Sequence, residues 1–576
     1  MDRHNKGYSN HCHCHLSFRG GITPHGYLGV DAFFVIGGFF LIREITNKIQ
    51  GEKFNYWSFI FRKIVRLWPL IILCSAVSMG LGYYLMLPDD YENLAQSVVA
   101  SSFFLNNMLQ CITTRNYWDI VNLYKPLMHL WYIGLLMQLY VFFPLVYLIA
   151  WKIGKKSTKA LGITTIIISI SSLILFLLPV FSSAWKFYLL PFRLFELSTG
   201  GLLVFYSPAI KRKKAIGICA LLIFLLVLCS RVKFISGSIM LILTVVSVLM
   251  LLVCINDVNF NIIDGKPLKL LAIIGKSSYS IYIWHQMIVA FLFYSIFPDQ
   301  NVVSFLVFVI MTTIVSVISY RFIECPLGRC VADKRKESIA IITSLIFAGI
   351  LVGIAFCVYL HAGVVRDIPE LNIDKDNVHR NMHAEYCDRP YAWDRDFTTD
   401  TIRILVVGDS FGRDWANVLY EYNQDMDISY RFYTKGHMNE IKERIESSDK
   451  VFYVLSGING ISEEVVDIVP DDKLFIVGPK NFGKSNGIVY AQRGNDDYFE
   501  ITVEANAEIV KYDELLQQRF GKHYISMMVP VMSDETHVRV FTDDNKYISQ
   551  DCRHLTQAGA QYYSRIIGID SILGIE

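Results

Sequence analysis

Long apolar runs separated by short basic loops occupy the chain from about Tyr27 to Leu360; beyond that point short apolar runs alternate with amphipathic ones. A run of about 18 apolar residues is long enough to cross the hydrocarbon layer of a membrane as a helix. Such runs fall at 28–45, 68–87, 127–150, 160–179, 186–206, 214–230, 236–255, 270–294, 302–320 and 338–360. They predict a polytopic all-α membrane bundle of about 10 helices. A further stretch at 93–110 is interrupted by Asn106 and Asn107 and is expected to be short, re-entrant or interfacial.

After Leu360 the period changes. Strand-like runs at 402–407, 429–433, 451–455, 474–477 and 523–528 alternate with helical stretches near 412–421, 438–447, 504–518 and 555–567. Alternation of this kind predicts a mostly parallel sheet with helices on both faces, and sites at the C-terminal ends of the strands. The organisation expected is therefore an atypical N-terminal segment (1–19), a membrane domain (20–330), a last transmembrane helix (338–360), a linker (361–400) and a soluble three-layer α/β domain (401–576).

Charge orients the membrane half. Arg43, Lys48, Lys53, Arg62, Lys63 and Arg66 crowd one loop; Lys152, Lys155, Lys156 and Lys159 a second; Lys211 to Lys214 a third; Arg329 and Lys334 to Lys336 a fourth. If 93–110 does not cross, all of these fall on one side of the bilayer, the cytoplasmic one by the positive-inside rule. The last span then carries residues 361–576 to the opposite face, which places the protein in a bacterial inner membrane with a periplasmic C-terminal domain. Hydrophobic residues make up 53% of the chain and charged ones only 18%, against about 25% for soluble domains. A net charge of +2 without a basic, aromatic-interleaved stripe argues against nucleic acid as a partner. In the exported domain Cys387 and Cys552 either pair as a disulfide, as an oxidising compartment favours, or lie as buried thiols.

Two strings carry the candidate chemistry. Gly408-Asp409-Ser410 follows a buried-strand pattern and precedes a helix, which exposes a hydroxyl at a sharp turn beside helix N–H groups. Asp551 and His554 place an acid and an imidazole three residues apart just before a C-terminal helix. Serine, base and orienting carboxylate are the parts of a nucleophilic acyl-transfer site. Within the apolar half, His129, the Arg193/Glu196 pair, Tyr279 to His285 and Tyr320 to Glu324 are polar groups in a setting where such groups are costly. Each alone reads as an anchor or structural pair; together they suggest a buried polar path. The alternating His11-Cys12-His13-Cys14-His15 does not suit a closed tetrahedral zinc site, and no metal is expected.

Several of these strings resemble a known family. Gly29-Val30-Asp31-Ala32-Phe33-Phe34-Val35-Ile36-Gly37-Gly38-Phe39 is similar to the GVDxFFVxSGF signature of acyltransferase 3 membrane proteins, and Phe61 to Pro69 resembles that family's RRxxRxxP loop. Pro126 to Trp131, Tyr279 to His285 and Tyr320 to Leu327 match further blocks in the expected order, over about residues 20–330. The exported part resembles the SGNH-hydrolase-like domain (flavodoxin-like in fold) fused behind one subgroup that O-acetylates surface glycans. The resemblance implies acetyl-CoA as donor, with Arg62, Lys63 and Arg66 near its phosphates, and a surface polysaccharide such as O-antigen or capsule as acceptor. It implies His129, Arg193, Glu196, Tyr279 and His285 as membrane-domain candidates. It adds Gly436 and Asn459, from Gly457-Ile458-Asn459, to Ser410 as oxyanion donors. The chain departs from the family in having no first apolar helix with its Arg and His, for which Arg3 and His15 are the nearest substitutes. It also lacks the glutamates of the HLWxxxxEEQFY block, here Leu136-Met137-Gln138-Leu139-Tyr140, and has Gly37 for serine. The alternatives are a membrane-tethered SGNH-type esterase with a degenerate membrane half, and a non-catalytic transporter or assembly protein.

Overall fold

Two helices of the N-terminal part carry a side-chain pattern inverted relative to a water-soluble protein. The helix Thr158–Leu177 buries Thr165, Ser169 and Ser172 and turns Ile163, Ile167, Ile170, Ile174 and Leu177 outward. Val302–Ser319 likewise buries Ser304, Thr312, Ser316 and Ser319 and exposes Ile310, Ile314, Val317 and Ile318. Small polar residues at the helix interfaces and branched aliphatics on the outside are what a lipid solvent selects. The computed structural model that shows this describes residues 28–113, 123–206, 213–230, 237–255, 275–295, 301–330, 334–378, 382–399, 401–433, 441–457 and 461–574. Two units form, residues 1–81 with 96–356, and residues 82–95 with 357–576.

Five helices among the described residues are long and apolar enough to cross a membrane: Tyr56–Leu85, Met128–Ile153, Thr158–Leu177, Val302–Leu327 and Ile341–Leu360. The expected spans at 28–45 and 270–294 are the more polar helices Leu28–Gln50 and Ser278–Ser295. Those at 214–230 and 236–255 hold the shorter apolar helices Ala215–Cys229 and Ile239–Cys254. The expected span at 186–206 is corrected. It breaks into Ser183–Tyr188, a turn Leu190–Phe192 and Leu194–Leu202. Pro191 lacks an N–H and forces the chain before it out of the helical region. Ser172 repairs the break, donating to Pro191 O (2.6 Å) and accepting from Phe195 N (2.9 Å). The 93–110 stretch is also no continuous span; Pro88–Ser102 stops and Asn106–Thr113 restarts. Its two asparagines are buried because their amides serve the fold, Asn106 donating to Leu127 O (2.7 Å) and Asn107 to Tyr188 O (3.1 Å). Leu28–Gln50 and Leu194–Leu202 meet backbone to backbone: a Cβ on Gly38 would fall 1.9 Å from Leu197 O, and one on Gly200 1.9 Å from Val35 O.

The second unit is built on a five-stranded sheet. Its strands are β1 (Arg403–Gly408), β2 (Asp427–Phe432), β3 (Lys450–Val454), β4 (Leu474–Val477) and β6 (Tyr524–Ile525); β5 (Thr502–Glu504) and β7 (His537–Arg539) form a separate antiparallel pair. The order is β2-β1-β3-β4-β6 with every neighbour parallel. Successive strand residues point to opposite faces. Ile404, Val406, Phe452 and Val454 therefore pack with Trp415, Leu419 and Tyr563 of the helices Ser410–Tyr422 and Gln557–Ile566 on one side. Leu405, Val407, Val451 and Tyr453 pack with Ile445, Val465 and Leu516 on the other. Burying each such side chain contributes about 1.5–3 kcal/mol. Strand order reverses between β1 and β3, which opens a crevice at their C-terminal ends.

Residues 82–95, the end of the helix Tyr56–Leu85 and the first part of Pro88–Ser102, belong to this second unit. Leu87 is 1% exposed in a cluster with Ile368, Tyr490, Tyr498, Phe541 and Tyr547. Arg366 donates to Met86 O (3.0 Å) and to Tyr490 Oη (2.9 Å), and bonds Tyr83 O as well. Gly363, with φ of +72°, lies so near Pro88 that a Cβ would stand 1.9 Å from its carbonyl oxygen. Leu87→Ala should thus destabilise the second unit by about 2–5 kcal/mol, read as a lowered thermal midpoint of the full-length protein.

Candidate active site

Gly408 ends β1 at a point where a Cβ would collide with Val454 O, at 2.2 Å. The turn that follows is clamped from two sides. Tyr430 donates its hydroxyl to Gly408 O and Asp409 O, each at 3.1 Å. Asp409 caps the next helix by accepting from Phe411 N (3.0 Å), and its other oxygen accepts from Ser456 N (2.9 Å) and Ser456 Oγ (2.5 Å) at the end of β3. Ser410 is thereby held half-buried as the first residue of the helix Ser410–Tyr422, at its positive end. Among the described residues no hydrogen bond engages its hydroxyl.

The second string closes on itself. Asp551 Oδ1 accepts from Arg553 N (2.8 Å) and His554 N (2.7 Å), while Oδ2 accepts from His554 Nδ1 at 2.6 Å. Cys552, at φ of +66°, allows the tight turn. With Nδ1 donating, the proton-accepting nitrogen of His554 is Nε2, which is buried and has no hydrogen-bond partner among the described residues. The imidazole stands edge-on to the Phe411 ring, 6.0 Å between centroids, beside the residue that follows Ser410.

Desolvation alone would raise the Asp551 pKa; the hydrogen bond and charge of His554, with the two backbone N–H groups, instead hold it below the ordinary 3.8. An acid with a depressed folded pKa contributes stability above its unfolded pKa and loses it only as pH falls through the folded value. Asp551 therefore stays ionised throughout the neutral and mildly acid range. Asp551→Asn should lower turnover by about 10³–10⁴, and the pH–rate profile of the unmodified protein should show no inflection from this carboxyl between pH 5 and 9. Cys387 and Cys552 are both buried and form no disulfide, so that alternative is set aside. Burial pushes both thiols up, and the charges of Asp414 near Cys387 and Asp551 near Cys552 push further, which leaves them unreactive.

The first unit gathers a second polar locus. His129 Nε2 donates to Ile283 O (3.0 Å), and His285 Nδ1 to Tyr282 O (2.7 Å). The two imidazoles lie edge to face at 5.2 Å, with the Tyr282 ring 5.2 Å from His129 and 5.6 Å from His285. Arg193 and Glu196 are joined by a residue the sequence reading did not pair with them: Arg193 Nη1 bonds Asp31 Oδ1 (2.6 Å) and Glu196 Oε1 (2.7 Å), all three buried. Asp31 stands inside Gly29-Val30-Asp31, and an acid in an apolar helix is the signal that it needed a cation. Tyr279 donates to Leu67 O. Gln138 exchanges amide hydrogen bonds with Asn107, Nε2 to Oδ1 at 2.9 Å. Of the basic candidates, Arg62 and Arg66 are exposed, while Lys63 is tied to Glu44 at 2.9 Å and lies over the Tyr140 ring at 4.8 Å. His15, Gly436 and Asn459 lie outside the described residues. Among the described residues no group of three or more His, Cys, Asp or Glu side chains could hold a metal ion.

The acyltransferase domain family matches residues 11–321. A protein named "Putative O-acetyltransferase" from Staphylococcus aureus (strain COL) is 28% identical over 337 residues, covering 54% of this chain and 53% of its own length. "O-acetyltransferase OatA" of Staphylococcus aureus (strain NCTC 8325 / PS 47) is 26% identical over 327 residues, 53% of each chain. The chain thus spans about half the length of the curated relatives it matches. No solved structure matches it significantly.

Proposed function

From the premise that this chain belongs to the acyltransferase domain family, we propose that it is an integral-membrane O-acyltransferase delivering an acetyl group to hydroxyls of a cell-envelope polysaccharide. The observation that carries the reading is the pairing of a family membrane domain with a second unit in which Ser410, whose hydroxyl no described residue engages, immediately precedes Phe411, the ring against which the Asp551-oriented His554 imidazole stands edge-on. Acetyl-CoA is the donor the family suggests, and the exposed Arg62 and Arg66 are suited to its phosphates. Lys63, spent on Glu44, is the poorer candidate.

In the exported SGNH-like unit Ser410 Oγ attacks the acyl carbonyl and its proton passes to His554 Nε2; collapse of the tetrahedral intermediate breaks the bond to the donor, whose leaving group takes that proton from His554. Asp551 keeps the ring in the required tautomer and stabilises its cation. The oxyanion faces the N-terminus of Ser410–Tyr422, with Gly436 and Asn459 as further donors. The acyl-serine is then resolved by a sugar hydroxyl from which His554 takes the proton. The membrane unit, through His129, His285, Tyr279 and the Arg193–Glu196 pair, feeds the acyl group outward.

Expression of the full-length protein in a bacterial host with unacetylated surface glycan tests this. Ester-linked acetate on the polysaccharide should appear with the protein and be absent without it. In a host whose glycan is already acetylated, a fall in acetate would instead support the tethered esterase.

A further inference from the structure

Lys480 and Asp414 form an ion pair of 2.7 Å with each side chain only 1% exposed. Desolvating both charges costs as much as their attraction returns, and an apolar pair of similar volume would serve stability as well or better. The placement suggests what the pair does instead. Asp414 lies four residues after Ser410 on the same helix, hence on the same face one turn below it. The carboxylate oxygen that receives Lys480 also accepts the backbone N–H of Leu555 at 3.3 Å, the residue next to His554. Lys480 follows β4, and its Nζ sits 3.5 Å from the centroid of the Phe411 ring, the ring to which the His554 imidazole stands edge-on at 6.0 Å. Two residues further on, Phe482 N donates to Cys552 O at 3.0 Å. One buried ammonium thus joins the helix that presents Ser410, the ring that follows it and, through Asp414, the loop that presents His554.

Resting on the reading of Ser410 and His554 as nucleophile and base, we propose that Lys480 is a positioning residue that sets the register of Ser410 against the His554 imidazole through Asp414 and Phe411. At 1% exposure it meets no substrate and takes no part in the chemistry itself. An apolar replacement would fill the volume but would neither orient the carboxylate towards Leu555 N nor hold the Phe411 face by a cation–π contact.

The test uses full-length protein in detergent. Lys480→Met combined with Asp414→Asn removes both charges while keeping an amide oxygen for Leu555 N. A fluorophosphonate probe reads the register directly: Ser410 Oγ attacks phosphorus, fluoride leaves, and the serine proton goes to His554. The double variant should keep the thermal midpoint, while the labelling rate at Ser410 and kcat for p-nitrophenyl acetate fall by about 10²-fold, with KM within about twofold, the size expected of an ångström-scale misplacement. An unchanged labelling rate and kcat in the folded double variant overturns the proposal. Should that variant not fold, Phe411→Leu leaves the ion pair intact and removes the ring; it should lower kcat at constant KM, and an unchanged kcat is equally fatal. Ser410→Ala separates the two levels. Labelling that survives it refutes the nucleophile assignment itself, whereas its loss beside a fully active double variant refutes only the role of Lys480.

Discussion

Ser410→Ala is expected to abolish acetate transfer to the glycan, by on the order of 10⁴–10⁶-fold as for other serine nucleophiles acting with a histidine, and to leave the protein folded. The separation of effects follows from the local structure. The turn is held by Tyr430, Asp409 and Ser456 rather than by the serine, whose hydroxyl is engaged by no described residue. Removing one oxygen should then change stability by no more than about 0.5 kcal/mol. Acetate content of surface polysaccharide, measured beside the amount of membrane-inserted protein, decides it. Transfer by Ser410→Ala at more than a tenth of the normal rate would mean that the acyl group reaches the sugar without passing through this serine.

Arg193→Ala is expected to have the opposite signature, a loss of folded protein. It would leave the carboxylates of Asp31 and Glu196 buried without a cation, a change that typically costs about 3–5 kcal/mol when one partner of a buried pair is removed. The yield of monodisperse protein in detergent and its thermal midpoint should both fall. Neutralising the whole group, with Arg193→Met, Asp31→Asn and Glu196→Gln together, should recover folding, since no charge then needs compensation. Transfer should nevertheless stay lost, because the proposed acyl path uses the charged Arg193–Glu196 pair. Recovery of transfer in the triple variant would assign the group to stability alone.

These expectations draw on two different kinds of legibility. Apolar runs at 160–179 and 302–320 announced their helices because lipid-facing Ile and Val must accumulate wherever no water competes. The parallel sheet was equally legible, since strands such as β1 are buried on both faces and read as unbroken aliphatic runs. The turn of Asp551 and His554 could be read because its partners are three residues apart, within reach of one carboxylate. Pro191 could have been read as a break inside 186–206, but apolar composition around it masked the interruption.

By itself, then, the sequence determined the division into apolar helices and an α/β unit, and the residue types available for acyl transfer, because hydrophobic period and short-range geometry are local properties. Only the tertiary structure decided which distant groups share a charge, a ring or a core: Asp31 with Arg193, His129 with His285, Lys480 with Asp414, and Leu87 with the core of the second unit. The physical reason is that burial makes an isolated charge or apolar side chain demand a partner without specifying which one. The choice is made when helices and strands pack, through close approaches such as Gly38 on Leu197 that no window along the chain contains.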